Sequence, residues 1–168
     1  MSALNTPINV AAKVDEARSL YLSGYNCAQS VFAAFSQEMG LKREDALRMA
    51  SGMGGGIGGL RMTCGAVSAM AMVLSALYGY DDAADFEGKK QLYADIQRLH
   101  SSFIAEHETS ECRALLQKSG IVVKAQPSER TPEYYRTRPC ARYIELCAKF
   151  ISEELNHKQS KPFPNTAP

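Results

Sequence analysis

Five cysteines carry most of the chemistry open to this chain: Cys27, Cys64, Cys112, Cys140 and Cys147, spaced 37, 48, 28 and 7 residues apart. No pair is CxxC, and there is no CxxCH haem site or zinc-finger spacing, so local spacing carries no metal signature. An odd count forbids full internal pairing. Five cysteines in 168 residues are also too sparse for a disulfide-dense secreted scaffold.

Their position along helices says more. Cys27 follows Asn26 and Cys64 follows Thr63, both good N-cap residues. Cys112 lies two residues after Ser110, and Cys140 follows Pro139, a residue favoured at the first helical position. Four cysteines are therefore expected in the first turn of a helix. Free N–H groups and the positive end of the dipole there favour thiolate over thiol. The expectation is lowered thiol pKa values, with Cys64 the most activated and Arg113 adding positive charge beside Cys112. If these helix starts meet, Cys27, Cys64, Cys112 and Cys140 make a tetrathiolate site for a metal, a cluster or dithiol–disulfide exchange. Cys147 falls mid-helix on an apolar stripe and reads as core.

A second cluster is Ser51 to Arg61, SGMGGGIGGLR, with six glycines. It leads straight into Thr63-Cys64. It lacks the GK[ST] of a Walker loop, and a helix rather than a strand precedes it, so it is not a Rossmann turn. Three roles remain: cradling an anion on backbone N–H groups, a flexible turn that lets two helices pack closely, or letting backbone approach a cofactor or the cysteines. Gly54, Gly55, Gly56, Gly58 and Gly65, with Arg113, are the candidate cofactor-binding residues. His100 and His107 are seven residues apart and read as solvated or satisfied helix histidines.

The elements that must position these residues are helices. Ala28, Val31, Phe32, Phe35 and Met39 form one stripe. Further helices are expected from about Arg43 to Ser51, Cys64 to Tyr78, Phe86 to Glu106, Glu111 to Lys118 and Pro139 to Leu155, after a first one carrying Val14, Ala17 and Tyr21. Gly120 to Thr137 reads as a long loop pinned by Tyr134 and Tyr135. Ile121-Val122-Val123 is too short a strand signal to build a sheet. The expected fold is an all-α, single-domain bundle of about six to seven helices, with the glycine loop before a buried central helix. The domain covers 1–155, and 156–168 is a flexible tail.

Net charge is +1, from 19 Lys+Arg against 18 Asp+Glu, which argues against broad affinity for nucleic acid. Met62 to Tyr80 is uncharged but diluted with Ser, Thr, Gly and Ala, so it reads as a core helix rather than a membrane span. The N-terminus has no secretory pattern, and the expectation is a reducing cytoplasm.

At these residues the chain resembles the redox-active C_GCAxxG_C_C family, small bacterial proteins with four characteristic cysteines and a CGAxxG motif. Gly24-Tyr25-Asn26-Cys27-Ala28-Gln29 is similar to the family's first cysteine segment. Ser51 to Ile57 followed by Cys64-Gly65-Ala66 is similar to its glycine stretch and central motif. Cys112-Arg113 resembles the third cysteine and Cys140 the fourth. The final glycine of the motif is Ala69 here, a change expected to bear on packing more than chemistry. The resemblance implies a redox role, and a related domain beside multihaem cytochrome modules suggests electron transfer with an iron–sulfur cluster.

Three functions follow as expectations. The first is an iron–sulfur or other metal centre on Cys27, Cys64, Cys112 and Cys140, working with an unidentified redox partner. The second is a metal-free thiol–disulfide protein on the same residues. The third is a helical binding or sensory module. No acid–base dyad or Ser/His/Asp set names an enzyme reaction. A second copy of the chain is left open as an oligomeric partner.

Overall fold

Side-chain caps set the starts of four helices among the described residues. The computed structural model describes residues 6–124 and 126–160. Asn9 accepts from the Ala12 N–H and opens α1 (Val10–Leu22). Asn26 and Gln29 form a reciprocal capping box on α2 (Cys27–Ala34). Helix α3 (Arg43–Ala50) runs into a 3-10 turn, Ser51–Met53. After the glycine loop comes α4 (Gly65–Tyr78). Asp85 caps α5 (Phe86–His107), and α6 (Cys112–Gln117) is short. Thr131 accepts from the Tyr134 N–H and opens α7 (Pro132–Thr137), with proline in its first turn. The last helix is α8 (Cys140–Ser160).

The fold is all-α, with eight α-helices and no strand among the described residues. An isolated bridge joins Thr63 to Glu111. Three expectations change. Helix α2 stops at Ala34, although Phe35 of its stripe is still fully buried. Part of the expected loop from Gly120 to Thr137 is α7, because Thr131 and Pro132 together make a helix start. The expected tail from residue 156 is helical as far as Ser160. Asn156 there holds the backbone of Ile8, accepting from its N–H at 2.7 Å and donating to its carbonyl at 2.9 Å. Residues 161–168 of that tail lie outside the described residues.

Helix α4 is the central element. It packs on α2, α8 and α5, and α1 lies along α8. Ala66, Val67, Ala69, Met70, Val73 and Leu74 of α4 are buried. Small residues at 66 and 69 let neighbouring helices come close, and the buried Ala69 stands where the motif has glycine. The uncharged stretch is thus a core helix. Among the described residues, no helix is long and apolar enough to cross a membrane. An ion network joins α5 to α8: Lys158 contacts Asp95 at 2.6 Å and Glu154 at 3.7 Å, and Arg98 contacts Glu154 at 2.6 Å. Lys158 also lies over the Tyr78 ring, 4.8 Å from its centroid.

Candidate redox site

Four helix starts converge at one end of the bundle. Cys27, Cys112 and Cys140 are the first residues of α2, α6 and α8, and Cys64 is the N-cap residue of α4. Thr63 and Ser110 are therefore not the caps. Cys64 occupies that place itself, and Glu111 precedes α6. Backbone pairing aligns the two segments. Cys64 N–H donates to Ser110 O at 2.7 Å, and Cys112 N–H donates to Met62 O at 2.6 Å.

These four cysteines line one cavity of about 20 Å³, completed by Leu115, Leu116 and Tyr143. That is room for a single water-sized occupant. All five cysteines are free thiols. Cys27 is the common neighbour, close enough that a negative charge on it would raise Cys64, Cys112, Cys140 and Cys147 alike. Cys147 is wholly buried in the apolar core and does not line the cavity.

The thiols are not activated as the helix dipole alone suggests. Burial pushes Cys64 up well above the ordinary thiol range, and the charges of Cys27, Cys147 and Cys140 push the same way against an Ala66 N–H. Burial and the Cys27 charge raise Cys140 to about 12, against Arg138 and the Tyr21 hydroxyl. Burial raises Cys112 more than its hydrogen bond from Arg61 lowers it. Desolvation and like charge beat the half-charge of a helix start here. The expected activation of Cys64 is thereby reversed.

The glycines act on packing. A Cβ on Gly65 would stand 2.6 Å from the Cys27 sulfur and 2.8 Å from Met53 O. A Cβ on Gly56 would stand 2.6 Å from Met62 N and 2.8 Å from the Cys112 Cβ. Gly54 passes against the Asn26 side chain, which donates to Ser51 O at 2.9 Å. Gly55, Gly56, Gly58 and Gly59, with Ile57 among them, all have positive φ, one left-handed turn that needs glycine. The N–H groups of Ile57, Gly58, Gly59, Leu60, Arg61 and Met62 all donate to backbone carbonyls. Those six are spent on the loop itself rather than offered to an anion. None of Gly54, Gly55, Gly56, Gly58, Gly65 or Arg113 lines the cavity. Arg113 is exposed. The guanidinium beside Cys112 is that of the buried Arg61, which also donates to Lys124 O at 3.0 and 2.6 Å.

Sequence reasoning missed Tyr21, Tyr143 and Arg61. Tyr143 sits one helical turn before Cys147 and so had a periodic signal. Arg61 ends the glycine run, but nothing in spacing ties it to Cys112. The two histidines stand apart from the cavity. His100 Nε2 lies 2.8 Å from Ser110 Oγ, and His107 stacks against Phe103 and Tyr143 at 4.9 and 4.8 Å.

The donor set suits a soft metal in kind and number, because four thiolates favour zinc, cuprous or iron–sulfur centres. A bound cation also deprotonates thiols that burial keeps neutral. With the side chains as they stand, no three His, Cys, Asp or Glu among the described residues are in position to hold one metal ion. The thiols surround a void rather than a common point.

No curated protein and no solved structure matches the chain. The family model described as "Putative redox-active protein (C_GCAxxG_C_C)" matches residues 25–154. That span holds all five cysteines, the glycine loop and the cavity they line, and the chain belongs to this family.

Proposed function

We propose that Cys27, Cys64, Cys112 and Cys140 are the redox centre, as ligands of an iron–sulfur or other soft-metal centre that exchanges electrons with a partner protein. One observation carries the reading: four cysteines from four different helix starts line one cavity. The metal supplies a site for electron gain and loss. The chain supplies four sulfur donors, walls that exclude water (Leu115, Leu116 and Tyr143), and two cations that offset the added negative charge. Those cations are Arg61 and Arg138, whose charges favour the thiolate form of Cys112. The cavity has room for one ion, but the sulfurs would have to close on it, and a multi-iron cluster would need them to spread.

Anaerobic purification followed by metal analysis and a visible spectrum tests this. Bound metal in the wild type, lost in Cys64→Ser and Cys112→Ser, is expected. Protein that stays metal-free and colourless after reconstitution with iron and sulfide, zinc or cuprous ion overturns it.

A second reading, reversible disulfide formation, is favoured by the free state of all five thiols and by the central place of Cys27. Oxidising one pair releases two protons and two electrons to an external acceptor. It ranks second because thiolate is the attacking species, and burial holds Cys64, Cys112 and Cys140 protonated. A thiol titre that falls by two or four on mild oxidation, with no metal bound, would place it first.

A further inference from the structure

Arg61 bears two costs at one position. Its φ is 64°, a left-handed conformation that strains any residue with a Cβ. It is also only 7% exposed, so a permanent cation is taken out of water. Its guanidinium meets a carbonyl there rather than a carboxylate. Nε and Nη2 both donate to Lys124 O, at 3.0 and 2.6 Å. A residue that is strained, buried and charged persists only where its surroundings over-determine it.

Those surroundings are the two backbone segments that carry cysteines. The Arg61 N–H donates to Gly55 O at 3.0 Å and closes the glycine loop. The Arg61 carbonyl accepts from the Arg113 N–H at 3.2 Å, and the Met62 carbonyl accepts from the Cys112 N–H at 2.6 Å. Two consecutive carbonyls thus receive the start of α6, and whatever fixes the backbone at residue 61 fixes the seat of Cys112. The side chain lies along the same loop, since a Cβ on Gly55 would stand 3.1 Å from Arg61 Nη1.

We infer that Arg61 is a positioning residue of the cysteine site, a buried clamp whose guanidinium pins the glycine loop to Lys124 O and so holds the carbonyls of residues 61 and 62 against the start of α6. The clamp accounts for arginine at a left-handed position beside a run of glycines. Glycine there would relieve the strain and lose the pin. The inference rests on the four-cysteine reading above for its purpose, but its first test needs no metal.

Hydrogen exchange of reduced, metal-free full-length protein, followed by NMR, reads the clamp directly. In Arg61→Gly the Cys112 and Arg113 amides should exchange about tenfold faster, the effect of one lost charge-assisted hydrogen bond. Amides of α1 and α8 should stay within about twofold of wild type, because the opening is local. Millimolar guanidinium chloride, far below the molar range that unfolds proteins, should slow the two amides again in that variant, where sodium chloride does not. Wild-type rates at Cys112 and Arg113, or a rise shared equally by α1 and α8, overturn the inference. Should Arg61→Gly fail to fold, Arg61→Lys offers the carbonyl one donor in place of two and should speed the same two amides, and wild-type rates there overturn the inference equally. In zinc-loaded protein, Arg61→Gly should lose zinc to a chelator with about tenfold weaker affinity, and unchanged retention overturns the positioning role. Wild-type protein that holds no zinc, iron or copper removes the metal reading and leaves the exchange comparison to decide this one.

Discussion

At the scale of the residue, the cysteines and the glycines beside them are one unit. Gly65 follows Cys64 because a Cβ there would strike the Cys27 sulfur. Gly65→Ala should therefore displace Cys27 and cost about 1–3 kcal/mol, the range for forced overpacking, with metal uptake lost as well. Gly52 is the control. A Cβ there meets nothing within 4 Å, so Gly52→Ala should be neutral or stabilise by about 0.4–1 kcal/mol through the unfolded chain. Chemical denaturation of the two variants checks the contrast. Burial also fixes how the thiols respond to pH. With Cys140 raised to about 12, its alkylation in metal-free protein should climb about tenfold per pH unit from pH 7 to 10 with no plateau. A plateau near pH 8 would show an ordinary thiol.

At the scale of the element, a side-chain cap places Cys27, while backbone pairing places Cys64 and Cys112. Asn26 closes a capping box on α2 and ties that helix start to Ser51 O. Asn26→Ala should cost about 1–2 kcal/mol and weaken metal retention, because it loosens the turn that carries Cys27. Thermal melts of metal-free and loaded protein separate the two effects. The Asn26-Cys27 start and the Gly65-led core helix were legible from residue types alone, since cap chemistry is local. Helix α7 was not read, because proline and charge in residues 120–137 look like loop until Thr131 is seen capping Pro132. The end of α8 was misjudged for a related reason. Its last turns are polar, and contacts with Ile8 and Asp95, far away in sequence, hold them.

At the scale of the whole molecule, buried ionisable groups limit stability at both ends of the pH range. Burial alone would raise Asp95, but hydrogen bonds from Lys158, Gln91 and Arg98 outweigh it and hold the carboxyl below its usual value. Its folded pKa is thus below the unfolded value of about 3.9. The stability it contributes is present above that value and lost as pH falls through the folded one. Asp95→Asn should be less stable at neutral pH and lose stability less steeply in acid. The thiols act on the alkaline side. Cys64, Cys112 and Cys140 are raised, so the metal-free fold keeps their contribution below the unfolded thiol value of about 8.5 and loses it as pH rises through the folded values. Metal loading should abolish that alkaline loss and raise the melting temperature, by an amount equivalent to about 2.7 kcal/mol at a hundredfold excess over Kd. Urea unfolding between pH 3 and 10, with and without metal, reads both limbs.

The sequence by itself determined the helical class, the four-plus-one division of the cysteines and the place of the glycine run before Cys64. Each of these depends on local chemistry: apolar period, cap residues and the special backbone freedom of glycine. Only the tertiary structure decided that the four helix starts share one cavity and that Arg61 rather than Arg113 faces Cys112. It also reversed the sign expected for the thiols. A helix dipole can be inferred from a cap residue, but desolvation depends on every atom that excludes water, and those atoms come from the whole chain.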